Sequence, residues 1–398
     1  MRISSNSIHR TALQGMLNQQ SELSRVQNQL ASSKRILTPA DDPIASVHIS
    51  ELDRAKAELV QFKRTAQSGV ARLNMEEQAL GDAGLLLQRV RELVIEANNG
   101  PITSADREAI AIEIENRGQE LLDIANRRDG EGEYLFSGFA KQTQPFAKVG
   151  GSVAYAGDQG VRQLQVASTQ RVADGHSGFD VFMNVKQGNG TFDTTATPAN
   201  TGSGLITVGT VTDPGAWAPD TYTLTFLTAT TYEITNSVPV SVTTGTYTSG
   251  NAINFNGAQI SVSGDPAVGD TFTIAASQKE DIFSSLDDIV SALRSTAAGG
   301  AAGRAQLATA LGGSLAQLDQ ADERLLNVRA EVGARLNIVE STQAAHETFG
   351  VELDRNLSEL RDLDYAEAIS RLDRHLVGLE AAQKSYATIS RLSLFSYL

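Results

Sequence analysis

Two ladders of apolar residues, each stepping by seven, constrain this chain more than any other feature of its sequence. The first is Ala45, Leu52, Leu59, Ala66, Leu73, Leu80, Leu87 and Val94; the second is Leu311, Leu318, Leu325, Val332, Val339, His346, Leu353 and Leu360. A repeat of seven returns nearly the same helix face every two turns, so each ladder describes a long helix that buries one narrow stripe against another helix. At about 1.5 Å per residue each rod is roughly 75 Å long. Rods of that length exceed what a compact globule needs and point to a part that stacks. The ladders lie at nearly mirrored distances from the two ends, so both ends are expected to form one helical body, with everything between them inserted.

Thinner stripes flank the ladders. Residues 4–33 carry Ile8, Met16, Leu23, Val26 and Leu30 with polar residues between them, and residues 365–389 carry Tyr365, Ile369, Leu372, Leu376, Leu379, Tyr386 and Ile389 at three-four spacing. A stripe that narrow is stable only against a partner, and the two stripes are expected to be mates. The second continues to an aromatic finish, Phe395 and Tyr397. The two helices have only each other to cover them within one chain. We therefore take Ile8, Met16, Leu23, Leu30, Leu372, Leu376, Leu379, Tyr386, Ile389, Phe395 and Tyr397 as candidate assembly residues.

Punctuation between the stripes is explicit. In residues 37–43, LTPADDP, Pro39 and Pro43 separate two helices, with Asp42 as N-cap and Pro43 at the first helical position. The first ladder ends at residues 98–101, NNGP. Thr103 and Asp106 form a capping box for a third helix expected to run to about Arg128. Residues 129–139 then read as a charged turn and a short strand at Tyr134, Leu135 and Phe136, with further strands near residues 153–155 and 161–166.

Residues 187–278 change character, with no Lys or Arg and 21 Thr. Alternation such as Thr221-Tyr222-Thr223-Leu224-Thr225-Phe226 is that of a half-buried strand, so this stretch is expected to be an all-β insertion, a small sandwich or barrel with a Thr-rich outer face. Ile282, Leu286, Ile289, Val290 and Leu293 restore helical spacing, and a Gly-Ala stretch at residues 297–303 is expected to bend into the second ladder. The fold class is thus α + β multidomain: a long antiparallel helical-bundle or coiled-coil body made from both chain ends, with an inserted all-β domain. Its expected divisions are 1–38 with 363–398, 39–186 with 279–362, and 187–278.

Charge and composition narrow the function. A formal charge of -14 repels polyphosphate and anionic lipid, which argues against nucleic-acid and membrane partners. No run of eighteen apolar residues is present. The amino end, MRISSNSIHR, has no apolar h-region, so no cleaved secretory signal is expected. The absence of cysteine excludes disulfides, thiolate metal sites and a cysteine nucleophile. His9, His48, His176, His346 and His375 show no metal-ligand spacing; four read as surface or helix-face residues, and His346 sits on the ladder, where a buried polar side chain can fix register. The pairs Asp41-Asp42, Asp287-Asp288 and Asp362/Asp364 read as helix-start caps. Residues 129–133, DGEGE, lack the donor pattern of a calcium loop. No catalytic constellation, cofactor motif or metal site emerges, and the chain is not expected to be an enzyme.

Three pieces carry a resemblance: the MRIS start, residues 30–46 (LASSKRILTPADDPIAS), and residues 362–398 (DLDYAEAISRLDRHLVGLEAAQKSYATISRLSLFSYL). Together they resemble the flagellin superfamily, and the DYAEAIS stretch and LFSYL ending are similar to its hook-filament junction branch rather than to filament flagellins. Ser33 departs from the glycine often found there. The resemblance implies a structural subunit of the bacterial flagellum whose terminal helices stack into a tube, exported by the flagellar type III route. It also implies partners: hook-associated protein 1, flagellin, further copies of itself in a ring, and a cytoplasmic export chaperone. Two other readings are a flagellin-like filament subunit, and an adhesin or glycan-binding module using Trp217, Tyr222, Tyr232 and Tyr247 of the insertion.

Overall fold

The structure, a computed structural model, describes residues 5–99, 102–295 and 300–391, with the side chains at 5, 6, 8, 9 and 389–391 outside the description. Six α-helices are described: α1 (Ser5–Ser32), α2 (Pro43–Asn98), α3 (Ser104–Ala125), α4 (Ile282–Arg294), α5 (Ala301–Arg361) and α6 (Tyr365–Arg391). Both ladders form single uninterrupted helices, α2 of 56 residues and α5 of 61. Fourteen of the sixteen ladder positions are buried; Leu52 and Leu360 are half-buried. Helical ends with a β-rich centre are as the sequence implies.

The helix starts follow from local chemistry. Asp42 Oδ1 accepts from Ala45 N at 3.0 Å, with Pro43 opening α2, and Asp41 accepts from the Leu37 and Thr38 amides. Those amide bonds hold the Asp41 carboxyl below its ordinary range. Thr103 and Asp106 form the reciprocal capping box on α3. Asp364 accepts from Ala366 N and Glu367 N at the head of α6. Asp287 and Asp288 do not cap. The N-cap of α4 is Asp281, which accepts from Ser284 N, and the pair sits a turn further in. The third helix stops at Ala125, and Asn126 leaves it to bond both N–H and C=O of Phe146.

The chain divides into two compact units, Met1–Arg64 with Thr342–Leu398, and Thr65–Ser341. In the larger unit, Leu73, Leu80, Leu87 and Val94 of α2 share one core with Leu311, Leu318, Leu325 and Val332 of α5 and the apolar faces of α3 and α4. Tyr134, Leu135 and Phe136 are buried but form no strand, only an isolated bridge between Arg128 and Tyr134. Their backbone is engaged elsewhere: the Tyr134 and Leu135 carbonyls accept from Arg72, and the Phe136 carbonyl accepts from Tyr155 Oη. Burial pushes the Tyr155 phenol up to about 12. Short strands occur at Ser152–Tyr155 and Gln163–Gln165 as expected, and Phe179–Met183 forms one π-helical turn. Of the Gly-Ala stretch, residues 297–299 lie outside the described residues and 301–303 already belong to α5.

The insertion is a two-sheet sandwich. One antiparallel sheet has the order Ser241–Thr246, Thr231–Thr235, Thr221–Thr228, Thr271–Ala276, Phe192–Ala196; the other has the order Ala252–Phe255, Ala258–Ser263, Leu205–Ile206. Alternate residues Tyr222, Leu224 and Phe226, beside Ile274 and Phe272 of the neighbouring strand in the same sheet, share one core with Ile253 and Ile260 of the other sheet. Trp217 lies between Phe192 and Tyr222, and Tyr247 packs edge-on against Phe226. These aromatic side chains, with Tyr232 packed against the same cluster, build the core and do not make an outward platform.

Candidate assembly surface

Within the terminal unit α1 packs along α6. Gln19 Nε2 lies 2.9 Å from His375 Nδ1 and donates to the His375 carbonyl at 3.2 Å. Gly378 permits this approach, since a Cβ there would come within 2.7 Å of the Gln19 amide. The pair buries Val26 and Ala368 fully, yet its stripes stay wet. Met16, Leu23, Leu30, Leu372, Leu379 and Tyr386 are half-buried, and Leu376 is 44% exposed. The side chains of Ile8 and Ile389, and the whole of Phe395 and Tyr397, lie outside the described residues.

Sequence spacing missed the rest of the apolar surface. Leu13, Leu17 and Val377 on the same helices are each about half exposed or more, as are Ile44, Val47, Phe349 and Val351 on the parts of α2 and α5 in this unit. They fall off the seven-step ladder. Apolar residues recurring outside the stripe on an otherwise polar helix were the available signal for a second face. Single exposed apolar residues are ordinary, but a dozen large ones in a unit of this size make the kind of apolar surface that interaction sites present.

The connections α1–α2 and α5–α6 are tied together at the base of the pair. Lys34 and Asp362 form an antiparallel bridge, Arg35 N donates to the Arg361 carbonyl at 2.7 Å, and Leu363 N donates to the Ser33 carbonyl at 3.1 Å. Ser33 holds φ +60°, the left-handed conformation that glycine adopts freely, and its hydroxyl lies 2.5 Å from the Tyr365 hydroxyl. The serine therefore keeps the bend that a glycine makes there and adds a cross-link.

Two histidines proved buried. His346 is 7% exposed, stacks on Phe62 and has no partner for Nδ1. Burial, then the Lys63 charge, lowers its pKa. His176, read from sequence as a surface residue, is 8% exposed in the larger unit. Its Nδ1 lies 2.8 Å from Glu76 Oε1 and its Nε2 3.1 Å from Glu331 Oε2, and its backbone N–H also donates to Glu76. Nearby, Arg72 pairs with Asp129 at 2.6 Å and Arg162 pairs with Asp174. The network pins residues 129–176 to α2 and α5. The cavity beside it holds only about 10 Å³, too little for a substrate. Among the described residues no three His, Asp or Glu side chains are placed to hold a metal ion, and no helix is long and apolar enough to cross a membrane.

Known proteins match this chain over nearly its whole length in sequence and over 77% of it in structure. The family model of the bacterial flagellin N-terminal helical region matches residues 3–141, and that of the C-terminal helical region matches residues 315–398. A crystal structure of Xanthomonas campestris FlgL is 36% identical, covering 77% of this chain and 99% of that one, with a TM-score of 0.73. The chain belongs to the flagellar hook-associated protein 3 family. The family's Legionella pneumophila member, flagellar hook associated protein-3, is 31% identical over 78% of this chain and 98% of that one, with a TM-score of 0.76. Flagellar hook-associated protein 3 of Escherichia coli strain K12 is 24% identical over 99% of both chains.

Proposed function

We propose that this protein is a structural adaptor at the hook-filament junction of the bacterial flagellum, without catalytic activity. The observation that carries the reading is the match to hook-associated protein 3 over 99% of both chains, together with the flagellin family models that match the helical ends which would do the joining. In this reading α1 and α6 supply a tube-forming layer, and their half-covered stripes are completed by neighbours: further copies in a ring, hook-associated protein 1 toward the cell and flagellin beyond. Before export the same stripes need a cytoplasmic chaperone, because exposed apolar faces self-associate. Export proceeds by the flagellar type III route with no cleaved signal, and the protein resides outside the cell. Residues 1–38 with 363–398, 39–186 with 279–362, and 187–278 act as terminal, rod and outer parts.

A strain lacking the gene tests the reading. Negative-stain images should show hooks without filaments, with flagellin in the medium; filaments of normal length on those hooks would refute it.

A further inference from the structure

A cleft of about 290 Å³ opens where the insertion meets α4 and α5. Three carboxylates line it: Asp193 on the edge strand Phe192–Ala196, Glu280 just after the insertion, and Asp288 on α4. No lysine, arginine, histidine or aromatic side chain lines it. Helix α5 contributes neutral side chains only, among them Thr309 and Gln317, 5% and 6% exposed. Thr309 Oγ1 and Gln317 Nε2 have no hydrogen-bond partner within the protein, although the other end of the same amide accepts from Gly188 N. Buried polar atoms are rarely left so; the Thr309 hydroxyl can accept from a cationic N–H, whereas the Gln317 amide N–H can only donate and is not completed by a cation.

The charges acting on these carboxylates are negative. Glu280 feels Asp288, Asp281 and Asp193, and Asp288 feels Asp287 and Asp281; burial, reinforced for Glu280 and Asp288 by that repulsion, raises the pKa of all three. The neighbouring Lys186 and Lys279 stand opposite each other in the ladder, exposed and outside the cleft lining.

We propose that this cleft binds an extended organic cation, a primary ammonium or guanidinium group on a flexible chain, supplied by a free polyamine or by a Lys or Arg side chain of another protein. None of the three carboxylates has a cationic partner among the described residues, Glu280 being held only by the Gln187 amide at 3.1 Å, and carboxylates in a half-enclosed polar cleft are relieved by an opposite charge. A chelated bare metal ion does not suit it, because no three acidic side chains converge on one point among the described residues. The lack of an aromatic face disfavours a sugar or planar ligand.

Titration calorimetry on the full chain tests this, with spermidine in one arm and an end-blocked pentapeptide containing one lysine in the other. At least one should bind saturably in the millimolar range or tighter, persist in magnesium chloride of equal ionic strength, and weaken as the pH falls and the carboxylates, whose pKa values are raised, take up protons. Glu280→Gln and Asp288→Asn should each weaken binding about tenfold, whereas Glu323→Gln, which removes the same charge from an exposed part of α5, should leave it unchanged. Binding by spermidine alone supports a free amine as ligand, and binding by the peptide a protein side chain. No saturable binding in either arm, full competition by magnesium, or equal weakening by Glu323→Gln overturns the proposal. The first two of those readouts use the unaltered protein, so a misfolded variant cannot decide the outcome.

Discussion

The same heptad runs through both units and ends in opposite situations. In Thr65–Ser341 the ladders meet α3 and α4, and every large apolar cluster among the described residues lies in this unit. In Met1–Arg64 with Thr342–Leu398, α1 and α6 cover each other along one edge, and Leu13, Leu17, Ile44, Val47, Val351 and Val377 stay in water. A stripe with two or three neighbours makes a self-sufficient core, and a stripe with one makes half an interface. The larger unit is therefore where substitutions should cost stability in the free chain, and the terminal unit is where they should cost assembly.

The strongest way to break that contrast is Leu325→Asp, which puts a carboxylate at a site 1% exposed and should cost about 3 kcal/mol or more. Glu323→Ala, two residues away on the exposed side, should cost within about 0.5 kcal/mol. Equal melting temperatures for the two would show that the ladder does not organise this core.

A smaller effect sits on the terminal stretch of the second ladder. His346→Leu removes a buried nitrogen without a partner and should stabilise the protein by about 1 kcal/mol. Because its folded pKa is depressed, the unfolded chain takes up the proton first, so the native protein should lose stability from about pH 7 to pH 5 relative to the leucine variant. Denaturant melts across that range check both the offset and its slope. A pH-independent difference would remove His346 from the account.

The smallest effect on stability should come with a large effect on assembly. Leu376→Asp, at a site 44% exposed, should change the melt of the free chain by no more than about 0.5 kcal/mol and yet abolish filaments on cells. A variant that assembles normally would place the interface elsewhere on α6.

Much of this was legible in the sequence because it rests on periodicity and local caps. The ladders, Asp42-Pro43, the Thr103–Asp106 box and the alternation at residues 221–226 each follow from rules spanning a few residues. What escaped depends on neighbours distant in sequence. His176 is buried because Glu76 and Glu331 converge on it from α2 and α5, 100 and 155 residues away. Tyr134, Leu135 and Phe136 have strand composition, but the Arg72 guanidinium and the Tyr155 hydroxyl take their carbonyls. Asp287 and Asp288 resembled a cap only while the start of α4 was unknown. For the assembly surface, half-buried positions such as Leu23 and Leu372 were visible as stripes, and the second face through Leu13 and Val377 was not, because it keeps no seven-residue step.

Removal of residues 377–398 tests most directly whether the terminal stripes serve neighbours rather than the chain itself. Thermal unfolding of the purified protein followed by circular dichroism, together with microscopy of cells carrying the shortened form, reads both sides at once. The main transition should stay where it is in the full chain, while cells show bare hooks and shed both the shortened protein and unpolymerised flagellin into the medium. Normal filaments on the shortened form, or collapse of the main transition, would contradict the account.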